Sequence, residues 1–248
     1  MKVLKAIQTV HGLLVFFLLF ILLFPLLLIP ILFPQQHRFT GQLNRVWAKL
    51  LFRISFIPYR VEMRTRLDSS RSYIFCPNHF SYLDIPTLGL NPINTIFVGK
   101  NDMERIPLFG YMYRKLHITV NRRSLRSKFQ TYLEAGKAIE EGKSLVIYPE
   151  GGIMAKQPPA MARFKDGAFR IAIEKQIAIV PVTIPYNWII LPDQNPLLLR
   201  PGLLKVIFHE PVESRGLALD DIELLKKKVF DIIDSEIKAH GNHKGNPS

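Results

Sequence analysis

From Gly12 to Phe33 the chain carries no charged residue. As a helix this run of roughly 22 residues would extend about 33 Å, enough to cross a hydrocarbon core. Soluble core helices rarely stay apolar on every face for so long, and a cleaved signal peptide has a shorter apolar core and a small-residue cleavage site. Pro25, Pro30 and Pro34 are expected to break or kink the run. A straight span and a helix that dips into one leaflet and returns both fit. The segment from Arg38 to Ile54 follows as an amphipathic helix. Trp47, Leu50, Leu51 and Ile54 lie on one side, and Arg45, Lys49 and Arg53 are placed to reach phosphates. The expectation is a helix at a membrane interface, with an ordinary domain helix as the alternative. Lys2 and Lys5 precede the apolar run, whereas Arg38, Arg45, Lys49, Arg53, Arg60, Arg64 and Arg66 follow it. The positive-inside rule therefore puts the rest of the chain at the cytoplasmic face of the cell membrane.

That remainder alternates. Short apolar or alternating runs at 59–66, 73–77, 94–98, 116–121, 145–149, 179–185 and 203–208 read as strands. Helical patterns fall between them at 104–115, 124–141, 164–175 and 221–238. In the second of these Leu125, Phe129, Leu133 and Ile139 recur at helical spacing and Gly142 supplies the stop. Such alternation predicts an α/β fold, a mixed, mostly parallel sheet of about seven strands flanked by helices, with the site beyond the strand ends. The tail from His240 to Ser248 reads as disordered.

The chemistry is concentrated where the second strand ends. Asn78, His79, Phe80, Ser81, Tyr82, Leu83 and Asp84 set a histidine and a carboxylate five positions apart. On a continuous helix five residues turn through roughly 500°, so the two side chains would point about 140° apart. A loop must bring them together. Pro86 agrees, because its fixed φ and missing N–H suit the first turn of a helix that opens near Asp84. An imidazole so placed accepts a proton from an alcohol, and the carboxylate holds the ring and selects its tautomer.

Further clusters sit at strand ends. Glu150, Gly151 and Gly152 follow a strand, where paired glycines permit a tight turn whose N–H groups receive a phosphate or an oxyanion. An ordinary turn is the plain alternative. Lys100 and Arg122 lie near strand edges and suit a phosphate, although lone basic residues are usually just solvated. Phe164, Lys165, Asp166 and Gly167 form another cluster.

Charge and cysteine usage narrow the partners. With 33 basic against 20 acidic residues, net +13, an anionic partner is expected. No nucleic-acid motif is visible, and the apolar run makes anionic lipid headgroups, phosphorylated substrates or an acidic carrier protein more natural. The single cysteine, Cys76, forbids an intrachain disulfide and any multi-cysteine zinc site. Close to His79, it reads as a small buried strand residue rather than a nucleophile.

Taken in order, these pieces resemble the glycerolipid acyltransferase family, typified by bacterial 1-acylglycerol-3-phosphate acyltransferases. His79 through Asp84 matches the family's histidine-x4-aspartate block, and Lys100, Gly110 and Arg122 look like its second. Tyr148-Pro149-Glu150-Gly151-Gly152-Ile153 stands for its Phe-Pro-Glu-Gly-Thr-Arg, while the Phe164 to Phe169 stretch and Val180-Pro181-Val182 match later parts. The resemblance covers about 70 to 185. It implies His79 as general base, Asp84 as its orienting partner, and Lys100, Arg122, Glu150, Gly151, Gly152 and Lys165 as substrate-binding residues. Ser81 is then a structural hydroxyl and no acyl-enzyme is required. It also implies a lysolipid acceptor, lysophosphatidic acid giving phosphatidic acid, with acyl-CoA or acyl carrier protein as donor substrate and neither metal nor other cofactor. The division becomes 1–57 membrane-anchoring helices, 58–239 acyltransferase domain and 240–248 flexible tail. One departure stands out: Gly152 and Ile153 replace the threonine and arginine, removing one usual phosphate ligand. Lys100, Arg122, Lys156, Arg163 or Lys165 would compensate, or the acceptor is a lyso-aminolipid such as an ornithine or glycine lipid. A lipid hydrolase or transacylase and a non-catalytic membrane-binding module are the competing classes. No nucleophile elbow supports the hydrolase.

Overall fold

The computed structural model describes residues 2–100, 104, 106–121 and 123–241. Seven strands form one sheet, each close to an expected apolar run. They are β1 (Tyr59–Met63), β2 (Ile74–Pro77), β3 (Thr95–Lys100), β4 (Ile118–Val120), β5 (Ser144–Ile147), β6 (Ile179–Thr183) and β7 (Leu204–Phe208). Their order is β1-β7-β6-β2-β5-β3-β4. Every pairing is parallel except β6 with β7. The mixed, mostly parallel sheet is thus present, and β2 lies at its centre.

Burial on both faces explains why the central strands read as continuous apolar runs instead of strict alternations. Ile74 and Cys76 point into one core layer with Leu145 and Ile179, and Phe75 points into the opposite layer with Val146, Val180 and Phe208. The first layer is covered by α5 (Leu125–Glu140), α6 (Gly167–Glu174) and α8 (Ile222–Gly241). α3 (Asp84–Leu88) supplies Leu88 to the second. Beside it Ala48 and Phe52 of α2 (His37–Ile54) pack with Leu83, Leu90, Leu204 and Ile190, the last from α7 (Asn187–Ile190). Residues 242–248, most of the expected disordered tail, lie outside the described residues.

Two helices show what spacing and proline placement leave undecided. The helix from Leu125 exists, but it buries Thr131, Ala135, Gly136, Ala138 and Ile139, whereas Leu125, Phe129 and Leu133 are 81%, 64% and 48% exposed. Small side chains let the helix sit close to the sheet, and the large apolar ones turn outward. The apolar run does not break at Pro25 or Pro30. One α-helix, α1 (Lys2–Leu32), passes through both, and the chain turns in a short 3-10 segment at Pro34–Gln36. α1 is the single described helix long and apolar enough to cross a membrane.

α2 runs back along α1. His11 Nε2 lies 3.0 Å from the carbonyl of Ile54, and Phe16 meets Trp47 edge-on with ring centroids 4.9 Å apart. Further along, Phe20 and Leu27 pack with Leu43 and with Met112 of α4 (Phe109–Leu116). Arg45 does not reach outward for phosphates. Its guanidinium donates to the carbonyls of Asn91 and Pro92, each at 3.0 Å, which ties α2 to the chain after α3.

Candidate active site

The polypeptide leaves β2 at Pro77, where the ladder to β5 has already ended and a residue without an N–H costs nothing. Asn78 then continues the sheet with its side chain. Nδ2 donates to the carbonyl of Ile184 at 3.0 Å and Oδ1 accepts from its N–H at 2.7 Å. This two-way contact clamps the loop to the end of β6, so His79 starts from a fixed point.

His79 and Asp84 meet as their spacing predicts. Nδ1 of the imidazole donates to Oδ2 of Asp84 at 2.9 Å. A carboxylate only accepts, so Nδ1 carries the proton and, in the neutral ring, Nε2 keeps its lone pair. The same Oδ2 accepts the backbone N–H groups of Phe80 at 2.8 Å and Ser81 at 2.9 Å. His79 is 7% exposed and Asp84 fully buried, so the pair is screened little by water. Asn187 completes the carboxylate, with Nδ2 donating to Oδ1 at 2.9 Å. No local spacing announces it, since 103 residues separate it from Asp84.

Glu150 sits under the histidine. Oε1 accepts the backbone N–H of His79 at 2.7 Å, and Oε2 accepts that of Ala162 at 2.8 Å. Desolvation raises its carboxyl to about 7 against the opposing pull of these two donors. Tyr148 stacks on the imidazole with ring centroids 4.0 Å apart at 25°. Its hydroxyl is sealed from water without a partner, and burial followed by the nearby Asp84 charge pushes the phenol well above its ordinary range.

The glycine turn is as sharp as paired glycines allow, with φ of 80° at Gly151 and 146° at Gly152. Lys165 crosses it, so close that a Cβ on Gly151 would lie 2.4 Å from Nζ. Its own N–H donates to the carbonyl of Pro149 at 2.9 Å. His79, Asp84, Glu150, Gly151, Gly152 and Lys165 therefore gather around one loop cluster. Lys100 ends β3 two residues beyond the Val98–Ile147 pairing, exposed at the same end of the sheet. Arg122 lies outside the described residues. Among the described residues no group of side chains has the make-up of a metal site.

Two nearby hydroxyl and thiol groups are structural. Ser81 Oγ donates to the carbonyl of Leu191 at 2.6 Å and accepts from the N–H of Leu83 at 3.1 Å, leaving no base to activate it. Cys76 is wholly buried in β2, and desolvation raises its thiol far above the ordinary value, so no thiolate forms. Beside Tyr82 an open cleft of about 470 Å³ is lined by Asp193, Gln194, Asn195, Pro196 and Leu197.

An acyltransferase family model matches residues 58–185. A chloroplastic 1-acyl-sn-glycerol-3-phosphate acyltransferase of Arabidopsis thaliana is 26% identical over 183 residues, 73% of this chain and 51% of that protein. A lyso-ornithine lipid O-acyltransferase of Rhizobium meliloti is 30% identical over 93 residues, 37% of this chain and 32% of that one. The chain spans about half the length of the first curated relatives it matches. The crystal structure of the 1-acyl-sn-glycerophosphate acyltransferase of Thermotoga maritima shares the fold. Its TM-score is 0.78 at 21% identity, over 98% of this chain and 100% of that one.

Proposed function

The chain belongs to the acyltransferase family, and from that premise we propose that it moves a fatty acyl chain from an acyl thioester to the free hydroxyl of a lysolipid. Lysophosphatidic acid is the acceptor that the relatives' names favour, with phosphatidic acid for phospholipid synthesis as product. One observation carries this reading: a buried His79–Asp84 pair at 2.9 Å, with Nε2 left as a base.

The chemistry follows from that tautomer. Nε2 of His79 takes the hydroxyl proton as the acceptor oxygen attacks the thioester carbonyl. The imidazolium that forms is stabilised by Asp84. When the tetrahedral intermediate collapses, the C–S bond breaks and the imidazolium returns its proton to the leaving thiolate, which restores the enzyme. The Gly151 N–H is spent on the carbonyl of Tyr148 at 3.0 Å, so Lys165 and the Gly152 N–H are the donors for the oxyanion or for the acceptor's phosphate in this reading. Lys165, which crosses the turn at Gly151, is read as the cation that compensates for the missing arginine at 153.

Membrane docking is part of the proposal. α1 is packed along one side from Val15 to Leu27, and its opposite side exposes Leu4, Leu14 and Leu22 by 57% or more. A helix held this way lies along the domain, which favours insertion in one leaflet over a perpendicular span. Lysolipids then reach His79 from the cytoplasmic leaflet, and the net charge of +13 suits anionic headgroups and an acidic donor, acyl carrier protein or acyl-CoA.

A second acceptor class is favoured by Gly152 and Ile153 and by the lyso-ornithine relative. Purified protein assayed with acyl-CoA and acyl carrier protein thioesters against lysophosphatidic acid, lyso-ornithine lipid and no acceptor separates the readings. Fast transfer to lysophosphatidic acid is expected. Fast hydrolysis without acceptor would indicate a thioesterase, and equal rates on phosphorylated and unphosphorylated lysolipids would remove the phosphate role from Lys165 and Lys100.

A further inference from the structure

We propose that Asn187 is a positioning residue that acts on His79 through Asp84, holding the carboxylate in the plane where it meets the imidazole. Oδ2 of Asp84 receives three donors, His79 Nδ1, Phe80 N and Ser81 N. Oδ1 receives Asn187 Nδ2, at 2.9 Å. Asp84 and Asn187 are both fully buried, so no bulk water can stand in for that donor. Without it a desolvated anionic oxygen faces the core unpaired, and rotation of the carboxylate toward other donors would turn Oδ2 away from the ring.

The amide's orientation shows which contact the fold favours. Nδ2 also donates to Thr87 Oγ1 at 2.9 Å, whose own proton goes to the carbonyl of Leu83 at 2.7 Å. Both neighbours therefore present lone pairs, and only the NH₂ end can face them. The consequence is a buried Oδ1 on Asn187 with no partner. A side chain serving only to fill space would not leave a carbonyl oxygen orphaned in the core. Two further bonds seat this segment against the loop: Ser81 Oγ to the carbonyl of Leu191, and Leu191 N–H to the carbonyl of Asn187 at 2.8 Å. The start of α7 is thus the outer wall of the histidine–aspartate pair.

The kinetic arm of the test rests on the acyl-transfer reading above, and the spectroscopic arm does not. Full-length protein in phospholipid–detergent micelles is labelled with ¹⁵N-histidine, and the His79 signals are identified by their loss in His79→Ala. Asn187→Leu keeps the volume without a donor, and Asn187→Asp keeps the shape with a second acceptor, so whichever folds by thermal unfolding serves. In the parent, His79 should show a protonated Nδ1 and a bare Nε2. In the variants that signature should give way to exchanging tautomers. Turnover should fall about 10- to 100-fold, with KM for acceptor and donor within about twofold. In an Asp84→Asn background the Asn187 substitution should cost nothing more. An unchanged His79 signature overturns the proposal, as does an equal loss when Asp84 is already substituted. If the signature shifts as expected but the parent turns over no thioester with any lysolipid, the acyl-transfer reading fails while the positioning role stands.

Discussion

The carboxylate of Glu150 accepts the backbone N–H of His79 at 2.7 Å, so a side chain three residues beyond the end of β5 holds the loop that carries the histidine. A buried backbone donor deprived of its acceptor costs about 1–3 kcal/mol. Glu150→Ala should therefore lower thermal stability by that order and reduce turnover, whereas loss of a pure substrate ligand would raise KM alone. Steady-state kinetics beside thermal unfolding checks this.

His79→Ala should lower turnover by about 10²–10⁴ with folding preserved, because it removes the proposed general base. Asp84→Asn should cost less turnover yet more stability. Its NH₂ would meet a donor in either orientation, Phe80 N and Ser81 N in place of Oδ2 or Asn187 Nδ2 in place of Oδ1. Circular dichroism and turnover on the same samples would show this inversion; equal stability of the two variants would contradict the hydrogen-bond assignment.

Two desolvated groups, half-buried His117 and buried Glu150, bend the pH dependence of stability in opposite directions. Burial lowers His117 from 6.5 to about 4, and its Nδ1 accepts the N–H of Phe97 at 3.2 Å. The folded state binds the proton less readily than the unfolded one, so this contribution is present above 6.5 and is lost as pH falls toward 4. Glu150 has the reverse sign. Its carboxyl rises from 4.5 to about 7, so its contribution is complete below 4.5 and is lost as pH rises through 7. His117→Phe should steepen the loss of stability with rising pH, and Glu150→Gln should expose the acid-side loss that His117 causes. Melting temperatures of the three proteins across that range decide it.

Gly151→Ala should destabilise by about 1–3 kcal/mol, since φ is 80° and the new methyl would displace the Lys165 ammonium. Lys165→Met keeps the stem and removes the charge. It should raise KM for a phosphorylated acceptor about tenfold, with little change for an uncharged lysolipid. No difference between the two acceptors would show that Lys165 serves the turn rather than the ligand.

Local patterns determined a good deal of this protein. The seven strands stand where short apolar runs stood, and the five-residue interval from His79 to Asp84 demanded a loop, which the geometry provides at 2.9 Å. Such features are legible because period, run length and proline placement act within a few residues. Which face of α5 is buried is not legible in the same way. Periodicity reports that a helix has an apolar side, but only close packing against the sheet chose Ala135 and Ala138 over Phe129 and Leu133. Asn187 and the hold of Glu150 on His79 depend on partners 103 and 71 residues away in the chain. They meet because β6 and β5 flank β2, and that strand order belongs to the global packing of the sheet, which no local spacing encodes.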